Sequence, residues 1–328
     1  MNPYRSIPGL MLALLIAAAT GTGQAQAPSY PDRPIRLVVP FPPGGGADST
    51  ARTLAQKMGE RLGQPMVIDN RPGANGLVGT DAVAKAAPDG YTLLMTDRGA
   101  LGVNPSLYAR LPYDPRKDFA PIGIAVDGPY VLVVSPALGV NSLAELVALG
   151  RARPGAIRYG SYGVGSMAQL NLEALARATG MTLQHVPYKG APPAVAAVVA
   201  GEVDLTIASP PSLLGLLRAG RLRALAVGSD TRIELLPEVP TLKEAGVSAP
   251  ALIPTYFALA APAGTPPAIV DRLHEALRGA LASSDVADKL RAAGLVPNAG
   301  SPAAMKQVIA EDVERFSVLV KYIGIQPE

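Results

Sequence analysis

A short apolar run, a glycine-rich turn and a helix-like segment follow one another twice in this chain. The first instance is "IRLVVPFPPGGGADSTAR" from Ile35, and the second is "IRYGSYGVGSMAQL" from Ile157. A strand that feeds a helix through so short a turn needs a crossover to reach a parallel neighbour, which is the grammar of an α/β protein. The rest of the chain keeps that rhythm. Strands are expected at Ile35–Pro40, Met66–Asp69, Thr92–Thr96 and Ile122–Val126, with helices at Asp48–Leu62 and Leu77–Ala86. A second series of strands is expected at Val131–Ser135, Ile157–Tyr159, Leu183–Val186, Leu205–Ala208 and Ala224–Val227. Helices Ser142–Arg153, Ser166–Thr179, Ala191–Ala200 and Pro211–Ala219 alternate with them. A strand near Phe257–Ala260 precedes three C-terminal helices, with Thr265 and Ser301 as expected N-caps ahead of proline. These strands are too many for one comfortable sheet. Two α/β lobes, each a parallel or mixed sheet covered by helices, with a cleft between them, are the expected architecture.

The N-terminus reads as an export signal. Arg5 supplies a positive start, Leu10–Ala19 is apolar, and small residues follow. The apolar run falls short of the ~20 residues that a membrane span needs. Cleavage is expected after Ala25, with Ala27 as the other position, which makes 1–25 a signal peptide and the mature chain periplasmic. There is no cysteine, so disulfides, thiol chemistry and Cys-ligated zinc are excluded. The 29 basic and 26 acidic residues are interspersed, which leaves no basic stripe for nucleic acid.

The two glycine turns carry the chemistry. Glycine permits positive φ and close backbone approach, and the first N–H groups of a helix lack intrahelical partners and carry the positive end of its dipole. One such turn is equally well a tight connection without a ligand. Two, one in each half of the chain, look like two jaws presenting donors to one anion. Asp48 or Ser49 is expected to cap the first helix, and Ser166 with Gln169 has the spacing of a capping box. Neither turn is followed by the lysine of a P-loop, and Ser49 stands where a dinucleotide fingerprint needs its third glycine. A small organic carboxylate fits best, held by backbone N–H groups, hydroxyls and waters. Catalytic equipment is sparse. Only His185 and His274 are present, neither Ser161 nor Ser166 lies in a nucleophile elbow, and no metal motif occurs. His185 is expected to line the cleft or to be a satisfied structural histidine. No enzyme activity, cofactor or metal is expected. The alternatives are a secreted α/β hydrolase, or a receptor that signals to a membrane sensor.

Several segments together resemble the Bug family, the periplasmic solute receptors of tripartite tricarboxylate transporters. They are "YPDRPIRLVVPFPPGGGADSTAR", "NRPGANGLVGTDAVAKAAPDGYTLLM", "NPSLYARLPYDPRKDFAPI", "HVPYKGAPPAV", "GRLRALAV" with "LPEVPTLKEAG", and "APAGTPPAIVDRL". The resemblance covers the mature chain in order. It implies a two-lobed, type II periplasmic-binding-protein fold that closes as a monomer around a di- or tricarboxylate, an aromatic acid or an acidic amino acid. A pair of membrane permease subunits would then receive the ligand. It also implies discontinuous lobes, 26–127 plus 244–328 for the first and 128–243 for the second. By the same resemblance the first lobe grips with Phe41, Gly44, Gly45, Gly46, Ala47 and Asp48, with Asn75 at the rim. The second grips with Ser161, Gly163, Val164, Gly165 and Ser166, while Tyr188 and Asp204 are candidates across the cleft. The chain departs from the pattern at Asp97-Arg98, where small polar residues are usual, and Arg98 there is a candidate for a second ligand carboxylate. Gln169 where His is common, Ala197 where Asp is common, and Tyr256-Phe257 in a region that often holds Trp are further departures.

Overall fold

Eleven strands in the described residues fall into two separate sheets, and the way the chain crosses between them creates the cleft. The computed structural model describes residues 30–248 and 251–325; the export signal read at residues 1–25 lies outside them. The first sheet has the order β11-β4-β10-β3-β1-β2. Its members are β1 (Ile35–Val39), β2 (Met66–Asn70), β3 (Thr92–Asp97), β4 (Phe119–Gly128), β10 (Thr255–Pro262) and β11 (Val296–Pro297). β1 pairs in parallel with β2 and β3, whereas β10 runs antiparallel between β3 and β4. The second sheet has the order β7-β6-β8-β5-β9, from β5 (Tyr130–Val134), β6 (Ile157–Ser161), β7 (Leu183–Pro187), β8 (Leu205–Ala208) and β9 (Arg223–Gly228). β6 pairs in parallel with β7 and β8, and β5 runs antiparallel to β8 and β9. Both sheets are therefore mixed. The chain leaves the first sheet at Pro129, between β4 and β5, and returns to it between β9 and β10.

Helices cover the sheets because their apolar stripes match the strands beneath. Helix α1 (Gly46–Leu62) buries Ala47, Ala51, Leu54, Ala55 and Met58 against Leu37, Val39, Leu93 and Met95 of β1 and β3. Helix α5 (Met167–Thr179) does the same in the second sheet, where Met167, Leu170 and Leu175 meet Leu132, Tyr159 and Leu205. The remaining long helices are α2 (Leu77–Ala84), α4 (Leu143–Ala152), α6 (Ala191–Ala200), α8 (Pro267–Leu281), α9 (Ser284–Ala292) and α10 (Pro302–Ile323). Short helices α3 (Asn104–Leu107) and α7 (Leu214–Arg218) complete the set.

Three local expectations change. Helix α1 starts at Gly46 with Gly45 as its N-cap, so Asp48 is the third helical residue and does not cap from outside. Ser301 caps α10 by accepting from the Ala304 N–H at 3.1 Å, but Thr265 does not cap α8. Its hydroxyl donates to the Pro262 carbonyl at 2.8 Å, and Pro266 takes the cap position. A wide helical turn over Gly99–Val103, leading into α3, was not expected after β3.

The apolar cores do not respect the division between sheets. Val103 and Leu107, just after β3, share one buried cluster with Met167, Leu170, Leu252 and Ile253. Phe316, Leu319 and Val320 of α10 join that cluster, whereas Met305 and Ile309 of the same helix pack against the first sheet. Helix α10 thus ties the two halves together. Phe316 is 0% exposed, so Phe316→Ala is expected to cost about 3–5 kcal/mol from lost transfer energy and a residual cavity. Urea unfolding should display this as a lower midpoint; an unchanged midpoint would show that the cluster is not shared.

Candidate functional site

The carboxyl ends of β1, β3, β6 and β8 converge on one seam, as expected for ligand sites in α/β sheets. On the first side, the turn after β1 is braced by Asp48, which is 3% exposed. Its Oδ2 accepts from the Gly44 N–H at 3.0 Å and from Arg52 Nε at 3.0 Å, and its Oδ1 accepts from Asn70 Nδ2 at 3.0 Å. Asn70 also donates to the Phe41 carbonyl at 3.1 Å. Burial pushes the Asp48 pKa up, but the bonds from Arg52, Gly44 and Asn70 outweigh it and hold the carboxyl below its usual range. Asp48 therefore shapes the turn instead of facing a ligand. Its expected place in the grip becomes a bracing one, since protein donors take three of the carboxylate's roughly four acceptor positions. Gly44 takes φ +88°, and Gly46 and Ala47 follow as the first helical residues with N–H groups that lack intrahelical acceptors. A Cβ on Gly46 would lie 2.5 Å from both Phe257 Cζ and Ser209 Oγ, so only glycine fits. The Phe41 ring packs on Gly76, which joins this turn to the neighbouring Asn75 loop.

On the second side, Ser166 caps α5 as read, but Gln169 reaches back one residue further than a capping box does, to Gly165 and not to the Ser166 N–H. Ser166 Oγ accepts from the Gln169 N–H at 3.4 Å and the Tyr162 N–H at 3.2 Å, while Gln169 Oε1 accepts from the Gly165 N–H at 2.6 Å. Ser161 is fully buried and sits 2.6 Å from His185 Nε2, with its Oγ also 3.2 Å from the Gly163 nitrogen that donates to it. His185 stacks on Tyr159, and burial lowers its pKa, which favours a neutral imidazole hydrogen-bonded to Ser161. Val164 remains 39% exposed at the tip of the turn.

The two sides touch. Asn75, at φ 50°, donates to the Gly165 carbonyl at 3.3 Å and to Asn104 Oδ1 at 3.0 Å. Ser212 Oγ lies 3.5 Å from the Gly44 carbonyl. A Cβ on Gly190 would meet Pro42, and one on Gly165 would meet Leu107.

Three other expected grip residues are used elsewhere. Arg98 Nε pairs with Asp312 Oδ2 at 3.0 Å, its guanidinium also bonds the Pro254 carbonyl, and it lies 4.8 Å over the Tyr256 ring. It is an internal clasp on α10 and does not present a fork to a second carboxylate. Asp204 accepts from the Arg158 N–H at 2.7 Å and pairs with the Arg158 guanidinium at 3.6 Å. Both stand at the amino ends of β6 and β8, opposite the seam, because strand polarity puts Ser161 and Asp204 at different ends of the sheet. Tyr188 keeps its backbone at the seam through an N–H bond to the Ser161 carbonyl at 3.0 Å, but its hydroxyl donates to Glu202 at 3.3 Å, away from it.

Sequence reasoning missed Ser209, Phe257, Asn104 and Leu107, which close the seam. "ASPPS", a polar residue straight after a strand, was the available signal for Ser209. It noted Asp97, the last residue of β3, only as the neighbour of Arg98 and gave it no role of its own. Its Oδ1 accepts from the Ala100 N–H at 3.0 Å, and no ion pair reaches it among the described residues. Burial pushes its pKa up to about 6, opposed by the backbone N–H groups of Ala100 and Gly99.

The family profile for tripartite tricarboxylate transporter receptors matches residues 50–325. The chain belongs to this receptor family. BugT of Bordetella pertussis is 40% identical over 315 residues, covering 96% of each chain. The structure of the periplasmic binding protein BugD superposes with a TM-score of 0.87 at 32% identity, covering 91% of this chain and 100% of BugD. An adipate-bound protein of R. palustris superposes with a TM-score of 0.88 at 37% identity, covering 91% of this chain and 100% of its own. This receptor therefore has the two-lobed periplasmic-binding-protein fold. It is a solute-binding protein and not an enzyme.

Asp48→Asn in this receptor is expected to cost about 1–3 kcal/mol at pH 7, by weakening charge-assisted bonds to Arg52 and Gly44. Because the folded carboxyl titrates below the unfolded one, the wild-type advantage is complete above the unfolded pKa. It fades as pH falls through the folded value. Asp97 behaves in the opposite sense. The folded state keeps its proton to about pH 6, so stability drops as pH rises from about 4 to 6, by on the order of 1–3 kcal/mol. The difference in unfolding free energy between wild type and Asp97→Asn, followed by chemical unfolding at several pH values, should carry this slope.

Proposed function

We propose that this receptor is exported by the signal peptide read at residues 1–25 and binds a small organic carboxylate between its lobes, delivering it to the membrane subunits of a tripartite tricarboxylate transporter. On this reading the lobes are 26–127 plus 244–328 and 128–243, and the protein works as a monomer that closes by hinge motion about Pro129 and the β9–β10 connection. The observation that carries the proposal is the meeting of two glycine-rich helix starts, α1 and α5, across one seam. Each contributes positive helix-dipole ends and bare backbone, and together they favour a negative group between them. The adipate held by the R. palustris relative is a dicarboxylate and supports the same ligand class.

The grip in this proposal uses Phe41, Gly44, Gly45, Gly46 and Ala47 from the first lobe, with Asn75 as a cross-lobe latch. From the second lobe it uses Ser161, Gly163, Val164, Gly165 and Ser166. Several of their N–H groups already have partners in the Ser166 and Gln169 side chains, so the loops act chiefly by shape, dipole and water-bridged contacts.

A thermal-shift screen of mono-, di- and tricarboxylates, aromatic acids and acidic amino acids tests the proposal, with a sugar and a divalent cation alongside. At least one acid should stabilise clearly, since a ligand at 100-fold its Kd adds about 2.7 kcal/mol. Stabilisation by the sugar or the cation alone would sink the carboxylate reading.

A further inference from the structure

Asp97 is a carboxylate at the seam that the binding site described above does not absorb. It closes β3, side by side with the end of β1, and its cross-strand partner is Phe257, whose ring lies against Gly46. The wide turn that follows carries Gly99, whose Cα faces both the Asp97 carboxylate and Met167. A Cβ there would lie 3.2 Å from Asp97 Oδ1 and 3.4 Å from Met167 Cγ. Met167 is the first residue of α5, directly after Ser166. The carboxylate therefore stands between the two glycine turns, partly exposed, on the α1 side of its sheet.

Among the described residues no ion pair reaches it, although the nearby Arg98 charge and three backbone N–H groups partly offset its burial. Arg98 is adjacent in sequence but is bound to Asp312 and the Pro254 carbonyl. The tyrosines around it have their protons in use: Tyr113 donates to the Ala100 carbonyl at 2.7 Å, and Tyr162 donates to the Ile207 carbonyl. Tyr130 and Tyr256 are buried neighbours whose pKa values burial raises, so they stay neutral. Asp97 is left with the backbone N–H groups of the next turn. A fixed negative group beside a pocket meant for an anion repels a plain carboxylate, unless the ligand brings its own positive charge.

We infer that Asp97 selects a zwitterionic ligand, a small acid with a protonated amine near its carboxylate, with the ammonium paired to Asp97 and the carboxylate at the starts of α1 and α5. The inference rests on the carboxylate-receptor reading and narrows it from organic acids in general to amino acids. A charge-assisted pair in a closed, water-poor cleft strengthens the correct ligand and penalises its desamino analogue, which gives discrimination from both directions.

Calorimetric titration of the mature protein with matched pairs tests it: aspartate and succinate, glutamate and glutarate, leucine and 4-methylpentanoate. In at least one pair the amino acid should bind at least about tenfold more tightly, the size of effect expected for one charge-assisted bond. Asp97→Asn keeps an oxygen for the Ala100 N–H, so the turn should hold. It should weaken the amino acid and tighten the plain acid, shrinking the gap at both ends. Asp97→Ser, with a shorter oxygen, should shrink the gap in the same way and guards against an effect peculiar to asparagine. Plain acids binding as tightly as their amino partners, or a gap that survives both substitutions, would overturn the selectivity and leave the carboxylate receptor standing. Silence from every acid in the panel would overturn both.

Discussion

The close approach of Gly46 to Ser209 and Phe257 is the contact on which the rest of the seam depends. A helix can present its unpaired N–H groups to a partner only if no side chain stands in the way, and the space here is smaller than a methyl group. Every neighbouring feature serves that approach. Asp48 at the third helical position reaches back to the Gly44 N–H and so holds the turn in its positive-φ form. Arg52 and Asn70 hold Asp48, and Asn70 also holds Phe41. The opposite turn is fixed by the Ser166 cap on Gln169 and by the Gln169 side chain, which accepts from the Gly165 N–H. Rigid, pre-shaped turns reduce the ordering cost of binding, which suits a protein that must hold a small ligand with few contacts.

Outside the seam, one ion pair organises the relation between the first sheet and the C-terminal helix. Arg98 leaves the end of β3, crosses the face of Tyr256 and meets Asp312 on α10, both groups being largely buried. That pairing accounts for the separate fates of two adjacent residues. Arg98 is drawn toward α10 by a charge, and Asp97, on the opposite face of the strand, is left at the cleft without one. Turning Arg98 toward α10 leaves the Asp97 carboxylate without the cation adjacent to it in sequence.

Most of the architecture was legible in the chain because it depends on local patterns. The strands announce themselves as short apolar runs, α5 as a capping serine after glycines, and α10 as serine before proline. The turns that would grip a ligand were legible for the same reason, since glycine in that grammar has few other uses. The places where the reading failed are those where the partner is remote. Asp48 looked like a donor-seeking carboxylate until Asn70, 22 residues on, filled it. Arg98 looked like a ligand fork until Asp312, 214 residues on, claimed it. Asp204 looked near the cleft until strand polarity set it at the far end of its sheet with Arg158.

By itself, then, the amino-acid sequence determined the α/β class, the two lobes, the receptor family and the two glycine turns. The class, the lobes and the turns are written in neighbouring residues whose propensities and spacings act over a few ångströms, and the family in the resemblance of whole segments. Only the tertiary structure decided which charges remain free. A charge is neutralised by whatever the fold brings within about 4 Å of it, and that depends on the path of the whole chain. The glycine turns carry the proposal that an anion is held here. The free carboxylate of Asp97, visible only once Arg98 has been seen to turn away, bears on which one.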